Sequence, residues 1–562
     1  MSLRRVSRLI TVTVLLVLWG ACGQYYRPVV IPISTTPPTP ANFHAVFAVN
    51  ANAPLNPGSG MQIDVSGDTR VGVASVGTSP THAAISPNDS RIFVTSAGSL
   101  ASGGADTVSA FTPSFGLGIG PVTTFSLPTG SLPVFVGTAQ PNAAYVANFG
   151  TNSVAALNTA TNVVSTIVPV GNGPVALAET PNVGSASGNR LYVANQTDGT
   201  VTSINAPDMS QNSVITVGSQ PVWVAARNDG QRVYVLTQGG GQLSAIDTAT
   251  DVVISTLSVG AGANFIGYDP HLNRLYVTNP VSGTVSVFSA TGGVNDTPTL
   301  LASISMNAGT TPPCPAGCSP DSVAALPDGS RFYVASYQLV SPCPDPNAPL
   351  SPCMIPRLTV FDANSLAVRV PSIFLLAPNL YPPQSTFSQP YALAPLSSCN
   401  QITPYTPGVT RFRVFTTASS DSSRVYVSMC DAGAVAVVNA TNNSINGGPP
   451  ADTLITDLPA PTGVCTQPSC VNVASVTAFA ITSNVVTFQA TNAFTPGQRV
   501  AISGLTTGNF MNGQTMTVLA SGLSGSQFEC YFTHADVAPT TDSGSAVPGQ
   551  PSQAPILLLT GQ

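Results

Sequence analysis

Short runs of alternating apolar and polar residues recur along most of this 562-residue chain, separated by clusters of Gly, Pro, Asn and Asp. The cleanest copy is NRLYVTNPVSGTVSVFSA, Asn273 to Ala290, in which the runs Leu275 to Thr278 and Val285 to Phe288 flank a loop holding Pro280, Ser282 and Gly283. Period-two alternation bounded by turn residues predicts a β-hairpin. The preceding ANFIGYDPHLN supplies a third short apolar run that ends in turn residues. The aromatic of the central strand repeats as Phe47, Phe93, Tyr145, Tyr192, Tyr234, Tyr276, Tyr333 and Tyr426, at spacings of 46, 52, 47, 42, 42, 57 and 93. The first five spacings are close to the length of one four-stranded blade of a β-propeller.

Each complete unit offers four runs. In the fourth, PVALAET (Pro174 to Thr180) is the inner strand, RLYVAN the second, TVTSIN the third and SVITVG (Ser213 to Gly218) the outer. Turn signals such as PNDS, NDG and PDGS precede Arg91, Arg232 and Arg331 at the start of second strands. The copies FAVN, FVTS, YVAN, YVAN, YVLT, YVTN, YVAS and YVSM resemble the YVTN-type β-propeller repeats of bacterial and archaeal envelope proteins, over roughly residues 44 to 445. That resemblance implies a propeller and leaves its ligand open. On each inner strand, four positions beyond its proline-like start, lie Ala84, Gly137, Ala178, Ala225, Gly267 and Ala324, all small, as a closed ring requires where strands converge on an axis.

The first repeat has second, third and outer strands (His44 to Val76) but no inner strand before it. APILLLTGQ (Ala554 to Gln562) reads as an inner strand with nothing after it. The expectation is therefore an all-β propeller of eight blades, or seven if a terminal unit is degenerate, closed by the C-terminal strand so that no sheet edge stays open. In the seventh repeat a loop from Gln338 to Pro356 is expected to split the hairpin, and 371–410 lengthens the approach to the eighth. Either PYALAP or FRVFTTA, within 390–418, can serve as the eighth inner strand. Residues 471–548 lack the signature and alternate over several short strands. They are similar to small all-β modules appended to phage and adhesive surface proteins, here inserted before the closing strand. The expected division is 1–21 signal peptide, 22–43 tether, 44–470 propeller, 471–548 inserted module and 549–562 linker and closing strand.

The first part of that division rests on Arg4, Arg5 and Arg8, the apolar run Leu9 to Trp19 and the small residues Gly20 and Ala21, the order of a secretory signal. The ending resembles a bacterial lipoprotein signal and implies Cys22 as the lipidated residue, although Trp19 stands where Leu is usual; ordinary secretion is the alternative. Five prolines between Gln24 and Pro40 suit a stiff tether. Such a chain is exported, and is either anchored in the cell envelope by lipid alone or secreted.

Composition then narrows the chemistry. All basic residues are Arg, which excludes a Schiff-base or phosphate-loop lysine. From Cys22 onward 14 basic face 23 acidic residues, so no nucleic-acid surface is expected. In an exported chain, Cys314/Cys318, Cys343/Cys353, Cys399/Cys430 and Cys465/Cys470 read as disulfides that staple long loops, with Cys530 left as a buried thiol. A zinc site is disfavoured because no His lies near these pairs, and neither a metal nor a cofactor is expected. The candidate ligand residues are His82, Trp223, Asn264, Phe265 and Asp321, at early positions of inner strands where a central funnel would gather aromatic and polar groups; structural packing is the competing role for each. His271 falls in a surface turn. The export signal, low charge, long stapled loops and added β-module point to a monomeric, non-catalytic scaffold that binds a protein, glycan or other surface partner. The alternative is a lactonase-like hydrolase or redox-associated enzyme acting at the funnel, by analogy with relatives of the fold.

Overall fold

The computed structural model describes residues 45–561, apart from 53–56, 99–103, 114–118, 141, 182–188, 207, 294, 308–316, 342–352, 377–391, 394–398, 400–411, 442–449, 462–472, 495–498, 513–514, 520, 533 and 549–552. The expected signal peptide, Cys22, the tether and Cys314, Cys343, Cys465 and Cys470 lie outside the described residues.

Eight antiparallel sheets follow one another as the blades of a β-propeller. Blade 1 consists of Ala554–Thr560, Ala45–Ala51, Pro57–Asp64 and Thr69–Thr78, counted from the inside. Blades 2 to 8 run from inner to outer strand in chain order. Their inner strands are Pro80–Ile85, Pro133–Gln140, Pro174–Glu179, Pro221–Ala226, Phe265–Asp269, Ser319–Ala325 and Val414–Ala418. Each inner strand packs against the next, and Ala554–Thr560 touches both Val414–Ala418 and Pro80–Ile85, so the ring is closed. Val49 pairs with Leu557 and Phe47 with Leu559, which places the C-terminal strand inside the first repeat. The eighth inner strand is Val414–Ala418, from FRVFTTA. The described residues of PYALAP, Ala392–Leu393, form a short strand that pairs with Cys353–Met354 of blade 7.

The small column has a local cause. Ala84, Gly137, Ala178, Ala225, Gly267 and Ala324 each lie across the ladder from the aromatic of the second strand. A Cβ at Gly137 would also stand 2.6 Å from Leu177 of the next blade. The aromatics Tyr192, Tyr234, Tyr276, Tyr333 and Tyr426 are fully buried, and rings of this size dominate the packing between blades.

Two bulges repeat from blade to blade. In blades 2, 3, 4, 5 and 7 the register shifts just after the leading proline of the inner strand, at Pro80, Pro133, Pro174, Pro221 and Pro320. The second lies between third and outer strands, next to the residue opposite the central aromatic, as at Ser203/Ile204, Ala245/Ile246 and Val437/Val438. The outer edges carry exposed aliphatics such as Val163, Val214 and Val252 and no lysine. A bulge that twists each edge away guards it against edge-to-edge pairing.

The turns joining third to outer strands hold a latch between neighbouring blades. In blades 1 and 3 to 8 that turn presents a residue with positive φ, among them Asp68 (φ 49), Asn162 (58), Asp251 (55), Asp296 (59) and Asp452 (58), a conformation that Asn and Asp tolerate best. The arginine that opens the second strand of the preceding blade reaches that turn. Arg91 donates to Asn162, Arg190 to Asp251, Arg232 to the carbonyls of Asn295 and Asp296, Arg274 to the Ala363 carbonyl, Arg331 to Asp452 and Arg424 to Asp68. The last of these ties blade 8 to blade 1 and closes the ring a second time.

Blade 7 differs from its expected form. The second and third strands extend to Arg331–Val340 and Cys353–Asp362, paired as far as Val340 with Cys353, so Gln338 and Pro356 belong to the ladder and not to a loop. In that extension the buried Met354 lies opposite the exposed Leu339. Cys318 and Cys353 each take part in a separate disulfide with a partner outside the described residues, and Cys399 is bonded to Cys430. Cys530 is a buried free thiol. Between Ala474 and Pro548 runs a separate six-stranded sheet with its own apolar core around Phe479, Phe488 and Phe528. Its first and last strands pair, with Ala474 opposite Ala546, so the chain enters and leaves it at one edge. Among the described residues, no helix is long and apolar enough to cross a membrane.

Candidate functional site

Antiparallel strands put the second-to-third hairpin loops and the outer-to-inner connections on one face of the ring, here called the connection face. The Arg latches lie on the opposite face. The chain segments 308–316, 342–352, 377–411 and the whole stretch from Pro459 to Ala554 leave and rejoin the ring on the connection face, around blades 6 to 8 and 1.

The inner strands start at that face, and two residues past the proline they bring a set of rings to the axis. His82 of blade 2 stacks on Phe135 of blade 3, with centroids 3.7 Å apart and planes at 19°. Phe135 meets Trp223 of blade 5 edge to face at 5.6 Å, and Trp223 meets Phe265 of blade 6 at 5.0 Å. Phe412 and Phe415, at the start of blade 8, complete the cluster, each 5.7 Å from Phe265. Edge-to-face and offset contacts of this kind add attraction beyond area burial. The bulge after each proline is what turns the third residue of the strand into this position. The disulfide-bonded Cys399 and Cys430 belong to the same apolar core as Phe412.

Of the five candidates read from the sequence, His82, Trp223 and Phe265 therefore meet in one cluster. Burial among the rings pushes the His82 imidazole down to about 3. Its Nδ1 accepts the Val136 N–H at 3.4 Å, which assigns the proton to Nε2.

Asn264 and Asp321 meet each other instead. Asn264 donates to Asp321 Oδ1 at 2.8 Å and accepts from the Thr278 hydroxyl at 2.7 Å. Asp321 Oδ2 accepts the N–H groups of Arg413 and Val414 at 2.8 and 3.3 Å. One fully buried carboxylate thus joins blades 6, 7 and 8. Beside it, the buried Arg413 guanidinium pairs with Asp431 at 2.6 Å and lies over Tyr337. Burial holds the Tyr337 phenol well above its ordinary range, and the Asp321 charge acts in the same direction. Among the described residues, no group of three or more His, Cys, Asp or Glu side chains is placed to hold a metal ion.

Three members of the ring cluster were not read from the sequence. Phe135 stands two residues past its proline, as His82 and Trp223 do, so the column itself held the signal. Phe412 and Phe415 were hidden because the eighth inner strand could not be aligned.

A concavity opens on the same face between blades 4 and 5. It is a cleft of about 490 Å³ lined by polar side chains of the Gln196–Gly199 hairpin and the connection through Gly218, Ser219 and Gln220.

No family model matches the chain, and no curated protein does either. Solved structures do. A periplasmic gluconolactonase of Pseudomonas aeruginosa is 12% identical over 75% of this chain and 98% of its own, with a TM-score of 0.43. Kuenenia stuttgartiensis hydrazine synthase is 16% identical over 58% of this chain and 86% of its own, with a TM-score of 0.39. A protein from Lactobacillus plantarum is 16% identical over 58% of this chain and 94% of its own, with a TM-score of 0.41. The assignment of this chain as an eight-bladed β-propeller rests on its own sheets and their closure.

Proposed function

We propose that this chain is an exported, non-catalytic β-propeller related to the YVTN-type repeat proteins, tethered to the cell envelope through Cys22, that binds a surface protein or glycan. The observation that carries the reading is the filled axis. Turnover at a propeller centre needs an open concavity with converging polar groups. Here packed rings occupy the connection-face end of the inner strands, and their one imidazole is too weak a base for general-base catalysis near neutrality. Long connections gathered on one face of a rigid ring suit recognition.

The test uses the protein from Gly23 onward, assayed against lactones and esters with and without divalent metal, and in parallel against arrays of envelope glycans. Binding without turnover is the expected result. Metal-dependent turnover that disappears in the folded His82→Ala/Asp321→Ala variant would move the assignment to a hydrolase of the lactonase type.

A further inference from the structure

We infer that the cleft between blades 4 and 5 is a subsite for an uncharged saccharide. The inference rests on the scaffold reading and names the chemical class of its partner. The cleft volume of about 490 Å³ falls within the range of about 300–1,000 Å³ typical of small-molecule sites.

The second strands of blades 1, 3, 4 and 6 carry asparagine at or next to their end, whereas that of blade 5, beside the cleft, ends in Thr237. In blades 4 and 6 the second strand ends in asparagine, Asn195 and Asn279, and that side chain closes over the incoming connection. A Cβ on the connection glycine would stand 2.7 Å from Asn195 at Gly171 and 3.1 Å from Asn279 at Gly260. Asn279 also donates to the carbonyls of Val259, Gly260 and Ala261. Blade 5 reads YVLT, so Thr237 takes this place. Its hydroxyl turns back to Gln242, and its methyl carbon would lie 3.8 Å from a Cβ at Gly218. The nearest atom to that Cβ is Gln242 Oε1 at 3.3 Å, so the space over Gly218 is wider than the 2.7 Å that Asn195 leaves over Gly171.

The walls match a sugar better than an anion or an apolar side chain. Gln196 and Gln220 each offer paired donors and acceptors, Thr197 and Ser219 add hydroxyls, and no Lys, Arg, aliphatic or aromatic side chain of bulk lines the cleft. Asp198 is held in place by the Asn172 backbone N–H at 2.6 Å and by its side-chain amide at 2.9 Å. These bonds keep the carboxylate below its ordinary range, so it remains an ionised acceptor with lone pairs left for vicinal hydroxyls. Gln220 has φ 55, a conformation that blades 4 and 6 give to Gly173 and Gly262 and blades 2 and 3 to Ser79 and Leu132. A long carboxamide is carried at the cleft rim although glycine would suit the backbone better.

The test is calorimetric titration of the protein from Gly23 onward with maltotriose, cellotriose and triacetylchitotriose. At least one is expected to bind with Kd near or below about 1 mM, and binding should weaken at least about tenfold in Gln220→Gly and in Thr237→Asn. Glycine at 220 suits the left-handed backbone, and asparagine at 237 restores the residue the repeat uses elsewhere, so both variants should keep the circular dichroism and melting of the parent. Failure of all three sugars to bind at about 10 mM, or equal binding by both variants, overturns the assignment. Sugar binding that survives both variants removes the cleft and spares the scaffold reading, whereas hydrolysis of the sugars or lactones removes the scaffold reading itself.

Discussion

His82 allows the packing of the axis to be tested through pH. Its folded value of about 3 lies below the ordinary 6.5 because packing against Phe135 and its neighbours strips water from the half-buried ring. Between these values the unfolded chain binds a proton that the folded chain refuses. The stabilising contribution is therefore fully present above pH 6.5 and is lost as pH falls toward 3. At about 1.4 kcal/mol per pH unit, lowering the pH from 7 to 4 removes about 3 kcal/mol through this group alone. In His82→Phe the stack on Phe135 is kept and the titration is removed. Urea unfolding at pH 7 and pH 4 should show the wild type losing about 3 kcal/mol more than the variant, since every other side chain is common to both. Nitrogen NMR should find one imidazole neutral, with the proton on Nε2, down to about pH 4. An imidazole midpoint near 6.5 for His82, or equal acid losses in the two proteins, would falsify the packed-ring account.

Deleting 554–562 strips blade 1 of Ile556, Leu557 and Leu558, all buried, so hydrogen exchange should speed up at Ala45–Ala51 and melting should fall; unchanged exchange there would rule out closure by this strand. A milder probe, Leu558→Ala, should cost about 2–5 kcal/mol in urea unfolding. Asp452 accepts from Arg331 and Tyr333, each at 2.6 Å, so Asp452→Ala should cost about 3–5 kcal/mol by stranding a guanidinium, while Asp452→Asn, which tolerates φ 58, should cost less. Asp542 is held below its ordinary range by N–H groups and the hydroxyl of the Thr506–Gly508 turn, so its contribution is present above the usual carboxylate range and lost as pH falls through the lowered value; Asp542→Asn should flatten the acid melting of the six-stranded sheet.

Strand identity, blade order and ring closure were legible because they follow from short-range pattern. Alternation fixes which face of each strand is buried, the aromatic at Tyr192 or Tyr276 marks the second strand, and APILLLTGQ has no other place to pair. The pairing of Cys399 with Cys430 followed from proximity to the long loops. The use made of these residues was not legible. His82 and Trp223 are 141 positions apart, and only closure of the ring sets them in one cluster with Phe412. Asp321 reads as a funnel carboxylate in sequence, yet its oxygens meet the N–H groups of Arg413 and Val414, which the alignment could not place. The latch from Arg424 to Asp68 joins residues 356 apart, and its acceptor depends on a left-handed turn that sequence spacing does not reveal. Periodicity reports which way a side chain points within its own strand. Which partner it meets across the blade interface depends on the radial stacking of eight sheets, and that exists only in the closed ring.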